Sequence, residues 1–189
     1  PAGVKIVYTV KEDPIAGYKP RIDGDAKKGF TITNTNTATL EIPVKKVWVG
    51  PALKEITVKL LADGVERDRL TLNKDNNWEG KFTNLAKYSA VTGEEIRYTI
   101  EEIKVPNYNS VITGDTTGYT ITNTNTETVD IPVAKEWIGK KADSATVYLF
   151  ADNVQKDSVV LSAANHWRHT FKGLPKYKAD GSEIVYTLK

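Results

Sequence analysis

Three side chains in this 189-residue sequence are of types that react with one another: the amine of Lys46, the carboxyl of Glu102 and the amide of Asn123. Each falls on the apolar face of a strand-like run, where every second residue shares a face. Ile42, Val44, Lys46 and Trp48 form one row, Ile96, Tyr98, Ile100 and Glu102 a second, and Tyr119, Ile121 and Asn123 a third. Burying an unpaired ammonium or carboxylate is costly, so three unrelated burials of this kind should be rare and the three residues should be neighbours. The residues alone leave three readings open: a buried Lys–Glu ion pair with a hydrogen-bonded asparagine, a slipped register that exposes all three, or chemistry between them.

The stretch that positions the lysine comes back almost letter for letter. TITNTNTATLEIPVKKVW at Thr31 to Trp48 recurs as TITNTNTETVDIPVAKEW at Thr120 to Trp137, so that Asn34 and Asn123, and Trp48 and Trp137, stand 89 residues apart. A period of that size marks tandem copies of a domain-sized unit rather than a short solenoid repeat. The lysine recurs as Lys135, on a row with Ile131, Val133 and Trp137, and the asparagine is matched by Asn34, on a row with Phe30 and Ile32. The run Val4 to Glu12 puts Ile6, Tyr8, Val10 and Glu12 on one face and so supplies a second glutamate.

Aromatic and β-branched residues punctuated by Gly, Pro, Asn and Asp give the composition of an all-β sandwich. The net charge is only +2 with both signs interspersed, which offers no field for nucleic acid or for an anionic membrane. No apolar run is long enough to span a bilayer, and no signal peptide or sorting signal is visible. With no cysteine, the units are held by neither disulfides nor thiolate metal sites. His166 and His169 lack a clustered carboxylate, so neither a metal nor a cofactor is expected.

In chain order, residues 1–37 read as the C-terminal part of a repeat, 38–126 as a complete repeat and 127–189 as the N-terminal part of another. The expected strands of the complete unit are Thr39 to Val49, Glu55 to Ala62, Val65 to Leu72, Trp78 to Thr83, Glu94 to Ile103 and Gly118 to Asn125. Asp63-Gly64 and Asn76-Asn77 are turns, Leu85, Tyr88 and Gly93 fall in a connecting loop, and Pro106-Asn107-Tyr108 turns into the last strand. The first piece ends with a polar segment, Arg21 to Gly29, and the strand Phe30 to Asn36. The third piece stops within GSEIVYTLK, a version of the Val4 to Lys11 strand. The end pieces are complementary, Glu12 and Asn34 on one side and Lys135 on the other. A window cut from a longer array accounts for this most simply; completion of one chain's back by another chain's front is the alternative.

These residues carry a resemblance to the Cna B-type repeats of Gram-positive collagen adhesins and pilins. The matching pieces are the lysine two residues before the strand tryptophan (Lys46, Lys135), the Tyr-x-x-x-Glu strand (Tyr98 to Glu102, Tyr8 to Glu12), the proline turn after it and the terminal Ile-Thr-Asn strand. The resemblance implies tandem Ig-like β-sandwich domains, each closed by a spontaneous isopeptide bond. Lys46 would be joined to Asn123 with Glu102 assisting, and Lys135, Asn34 and Glu12 would be the corresponding members of further sites. Asn36 and Asn125 share parity with Asn34 and Asn123, and the choice between them rests on the family pattern. Burial disfavours the charged amine, so an inward lysine suits nucleophilic attack once per domain, as maturation and not turnover.

The implied role is a rigid repeat array on a Gram-positive surface, anchored in the cell wall by a segment outside this chain. Its partners would be neighbouring repeats, with any host-matrix ligand bound through another domain. A pilin subunit module and an Ig-like ligand-binding module are the alternatives. The first would need a further lysine and a sorting motif that cannot be identified, and the second would use end loops that differ between copies (Gly50 to Glu55, Gly139 to Ser144).

Overall fold

The computed structural model describes residues 3–189, and almost all of its regular structure is strand. An N-terminal hairpin is formed by β1 (Tyr18–Asp25) and β2 (Gly29–Asn36). The strands that follow are β3 (Thr39–Val49), β4 (Glu55–Ala62), β5 (Val65–Asn73), β6 (Glu79–Ala86), β7 (Tyr98–Glu102), β8 (Tyr108–Asp115) and β9 (Gly118–Asn125). Then come β10 (Thr128–Ala134), β11 (Ser144–Ala151), β12 (Val154–Ser162), β13 (Arg168–Pro175) and β14 (Tyr186–Leu188).

Strands β3 to β9 build a two-layer sandwich. One sheet has the order β6-β3-β9-β8 and the other β5-β4-β7, all antiparallel except the central pair β3 and β9. The alternation read from the sequence is the burial pattern observed. Ile42 and Val44 on β3, Val58 and Leu60 on β4, Leu72, Phe82 and Ile121 are buried between the layers, while intervening residues such as Glu41 and Lys45 are exposed. The β4–β5 hairpin turns on Asp63 (φ 50°) and Gly64 (φ 81°), the two left-handed residues that a primed turn requires. In the turn between β5 and β6, the Asn76 side chain accepts from Asn73 N–H (2.9 Å) and donates to the Thr71 carbonyl (2.9 Å). That bracing holds Asn77 and Trp78 at φ 54° and 60°.

The structure corrects the sequence reading where strands depend on partners. The expected strand Val4 to Glu12 is absent, and Val4, Ile6, Val7 and Tyr8 are exposed. The corresponding strand of the sandwich, β7, is held by β4; the first piece has no such neighbour, and a lone strand has no ladder to stabilise it. The lysine strand of the third piece is likewise cut short. β10 ends at Ala134, whereas β3 runs on to Val49 along its parallel partner β9 from Val44 onward.

Three further differences concern the sandwich and its hairpins. Leu85 lies in β6 opposite Leu40 and not in a loop. The run Glu94 to Ile103 is regular only over Tyr98–Glu102, preceded by an isolated bridge between Tyr88 and Glu95. Strands β1 and β8 lie outside the sequence expectation, because charged residues and Pro in β1, and Asn, Ser, Thr and Gly in β8, interrupt the apolar alternation on strands that face solvent. Their mark is the glycine before each tight turn. A Cβ on Gly114 (φ 96°) would stand 2.1 Å from the Gly118 carbonyl oxygen, and Gly24 meets Gly29 in the same way.

The third piece forms the sheets β10-β13 and β12-β11-β14 around Leu149, Leu161 and Phe171. Leu60 in the sandwich is fully buried, so Leu60→Ala should lower its stability by about 2–5 kcal/mol. Val111→Ala on exposed β8 should stay within about 0.5 kcal/mol. Denaturant unfolding of the two variants against wild type measures both.

Candidate functional site: a buried lysine, glutamate and asparagine

The parallel pairing of β3 with β9 sets Lys46 opposite Ile121 and Trp48 opposite Asn123. Lys46 and Asn123 therefore project from adjacent strands into the same interior, one inward position apart. Glu102 reaches them from β7 in the facing sheet, where it pairs with buried Val58 on β4. Lys46 Nζ lies 2.9 Å from Glu102 Oε1, with the two side chains 0% and 3% exposed. Asn123 Nδ2 donates to the same oxygen at 3.0 Å, and Asn123 is itself fully buried.

The surroundings are apolar and aromatic. Lys46 Nζ sits 4.6 Å from the centre of the Trp48 ring, a cation–π contact. Trp48 in turn is packed edge-on against Trp78 (5.2 Å) and Tyr108 (5.1 Å). Burial pushes the Lys46 amine below its ordinary value of 10.5, with the adjacent Glu102 carboxylate acting in the opposite direction. Polar demand in the site exceeds supply. Glu102 Oε2 and Asn123 Oδ1 are buried without a hydrogen-bond partner, and Lys46 Nζ, though at ion-pair distance from Glu102, is not aligned for a hydrogen bond. Each buried polar atom left so costs about 1–3 kcal/mol.

The neighbouring residues of the same types are engaged elsewhere. Lys45 points outward and pairs with Glu79 at 3.0 Å, and Glu101 is exposed. Asn125 turns toward the following linker, where its Oδ1 accepts from Glu127 N–H at 2.9 Å, and Asn36 accepts from Ala38 N–H at 2.8 Å. Asn34 behaves like Asn123, since its Nδ2 donates to Glu12 Oε1 at 3.0 Å although residues 3–15 form no strand. Glu12 Oε2 and Asn34 Oδ1 are left buried and unpartnered. That half-site has no lysine.

Lys135 is the converse. It is exposed, with Nζ 4.9 Å from the Trp137 ring, which packs on Trp167 at 5.1 Å as Trp48 packs on Trp78. Among the described residues no carboxylate or amide meets its Nζ, and it is not brought to Asn34 or Glu12. The sequence places Tyr108 only in a turn; the structure packs it edge-on against Trp48 and directs its hydroxyl to the Pro51 carbonyl. Its recurrence as Tyr18 was the available signal.

Comparison with known proteins decides the family. The model of the Cna protein B-type domain matches residues 1–35, 42–124 and 131–189. The chain belongs to this family. It is similar to a collagen adhesin of Staphylococcus aureus, 34% identical over 203 residues that take in 98% of this chain but only 16% of the adhesin. It is also similar to the crystal structure of two B repeat units (B1B2) of the collagen-binding protein of Staphylococcus aureus, with a TM-score of 0.56, 31% identity, and coverage of 98% of this chain and 52% of that one. The tandem Ig-like β-sandwich architecture expected from the sequence is that of the family, whose members are structural rather than enzymatic. No helix among the described residues is long and apolar enough to cross a membrane.

Glu102→Ala would leave the buried Lys46 amine without its carboxylate, a change that costs about 3–5 kcal/mol for a buried pair. The depressed amine binds fewer protons folded than unfolded in the window between its lowered value and 10.5. Stability of the variant should therefore rise with pH across that window. Denaturant unfolding at a series of pH values, referenced to a Lys46→Met/Glu102→Ala double variant that cannot titrate there, should show this slope; parallel curves would contradict it.

Proposed function

We propose that the chain is part of the structural repeat region of a Gram-positive cell-surface adhesin, in which the sandwich is locked by an isopeptide bond between Lys46 and Asn123. The observation that carries this reading is the buried cluster of one amine, one carboxyl and one amide at the seam between the first and last strands of the sandwich, with the amine and the amide nitrogen 2.9 and 3.0 Å from one carboxyl oxygen.

In the proposed reaction Glu102 Oε1 takes a proton from Lys46, and the neutral amine attacks Asn123 Cγ. A new C–N bond forms as the bond from Cγ to Nδ2 breaks. Of the two protons the lysine gives up, Glu102 passes one to the departing nitrogen, which leaves as ammonia, and retains the other. The lowered affinity of Lys46 for its proton favours the nucleophilic form. Linkage would also remove the buried ammonium, which accounts for a site that tolerates unpartnered polar atoms. Glu12 with Asn34, and Lys135, are the corresponding parts of two further sites.

The bond would join residues 77 apart in sequence (Lys46 to Asn123), constraining the unfolded chain as a disulfide does but without a reducible link. Tension entering at β3 would leave through β9 along a covalent path. A repeat that resists extension suits a stalk that presents a binding domain at a distance, and the collagen adhesin relative supports placement on the cell surface.

Intact-mass measurement under denaturing conditions tests the bond. The wild-type chain should be lighter than its sequence by one ammonia, and Lys46→Ala, Asn123→Ala or Glu102→Ala should each restore the full mass. Lys135→Ala should leave the deficit unchanged. A full-mass wild type would refute the linkage.

A further inference from the structure

Where β3 leaves its sheet, the chain turns at Gly50 and Pro51, and that turn meets the piece that follows the sandwich. Gly50 has φ 117° and lies so close to Asn125 that a Cβ would fall 2.6 Å from the asparagine Cβ. The Pro51 carbonyl is held by the Tyr108 hydroxyl. So braced, the Gly50 N–H donates to the Ala179 carbonyl at 3.1 Å, across to the loop between β13 and β14. Gly181 of that loop (φ 87°) rests on the same turn, since a Cβ there would be 3.0 Å from Pro51 Cα.

Both partners in this contact are preformed. The loop is closed by its own bonds, Lys178 N–H to the Ser182 carbonyl (2.8 Å), Gly181 N–H to the Lys178 carbonyl (3.0 Å) and Ser182 Oγ to Asp180 (2.6 Å). The linker is tied on each side, Thr126 N–H to the Asn107 carbonyl (2.9 Å) and Lys176 N–H to the Glu127 carbonyl (3.0 Å).

The chain contains a second, incomplete version of the joint. The homologous loop of the sandwich, around Ser89 and Gly93, faces the homologous end of the first piece across a cleft of about 500 Å³ lined by Tyr18, Asn34, Asn36 and Tyr88. Tyr18 stands where Tyr108 stands in the sandwich, but the first piece has no β3 and hence no counterpart of Gly50 and Pro51. The site of a Cβ on Gly93 is correspondingly empty, with nothing within 4 Å.

We propose that the Gly50–Pro51 turn is a docking socket for the hairpin loop of the next unit in the chain, so that successive units are held in a fixed relative orientation. The contact is made by backbone atoms and needs only glycine where the two surfaces touch. It therefore tolerates the differing loop sequences Tyr88 to Gly93 and Tyr177 to Ser182. It does not depend on formation of the Lys46–Asn123 bond.

The test uses a matched pair of variants in the full chain. Gly181→Val and Gly93→Val impose the same left-handed strain on homologous loops, but only the first drives a side chain into the turn. Amide exchange at Gly50 should accelerate by at least about tenfold in Gly181→Val and stay at the wild-type rate in Gly93→Val. Residual dipolar couplings of residues 38–126 and 127–189 should fit one alignment tensor in wild type and in Gly93→Val, and two in Gly181→Val. Tyr108→Phe keeps the ring on Trp48 while releasing Pro51, and should speed Gly50 exchange even if Gly181→Val fails to fold. Two tensors in wild type, rapid exchange at wild-type Gly50, or equal effects of the two valine variants would overturn the proposal.

Discussion

Everything at the centre of this molecule depends on the parallel pairing of β3 with β9. It is the one departure from antiparallel order in the sandwich, and it joins the first strand of the unit to the last. Were the last strand to slip by one residue, Asn123 would exchange its inward position for that of Thr122 or Thr124, and the cluster with Lys46 and Glu102 would be dispersed. The register is fixed on both flanks, by β6 against β3 and by the tight β8–β9 hairpin. Apolar neighbours Val44 and Ile121 then exclude water from the polar cluster.

The cluster illustrates how a fold sustains an expensive arrangement. An isolated lysine in this position would be strongly destabilising, and an ion pair alone offsets its desolvation only in part. The surrounding layer of Trp48, Trp78, Tyr98 and Tyr108 supplies both the apolar burial and the ring face on which the amine rests. The same aromatic arrangement persists around Trp137 and Trp167, although Lys135 lies in the open. Placement of the amine on its tryptophan thus persists where the strand has ended, whereas burial is a property of the closed sandwich.

Strand parity made the cluster legible in the sequence. Lys46 and Glu102 fell on the rows of Val44 and Tyr98, and their neighbours Lys45 and Glu101 on the opposite face, as the structure has them. Parity could not separate Asn123 from Asn125, two residues on; the structure separates them by what each meets, Glu102 in the interior or Glu127 in the linker. The edge strands β1 and β8 escaped because their outward residues need no apolar pattern. The run Val4 to Glu12 misled for the reverse reason, since an apolar alternation describes what a segment does against a neighbour and the neighbour is missing.

The order of strands along the chain has a consequence for how such a unit is made. β9 lies between β3 and β8 in its sheet, yet it is the last segment of the unit to leave the ribosome. Until it arrives, the sheet lacks an inner member and the lysine strand has a bare edge, so closure must await contacts between distant parts of the chain, which slows folding. Where only β13 pairs with the equivalent strand, as in the third piece, β10 ends at Ala134, Lys135 is exposed and Ile138 lies fully in solvent. Late insertion of one strand would keep the lysine side chain in solvent throughout synthesis, and confine its desolvation to the moment the amide is beside it.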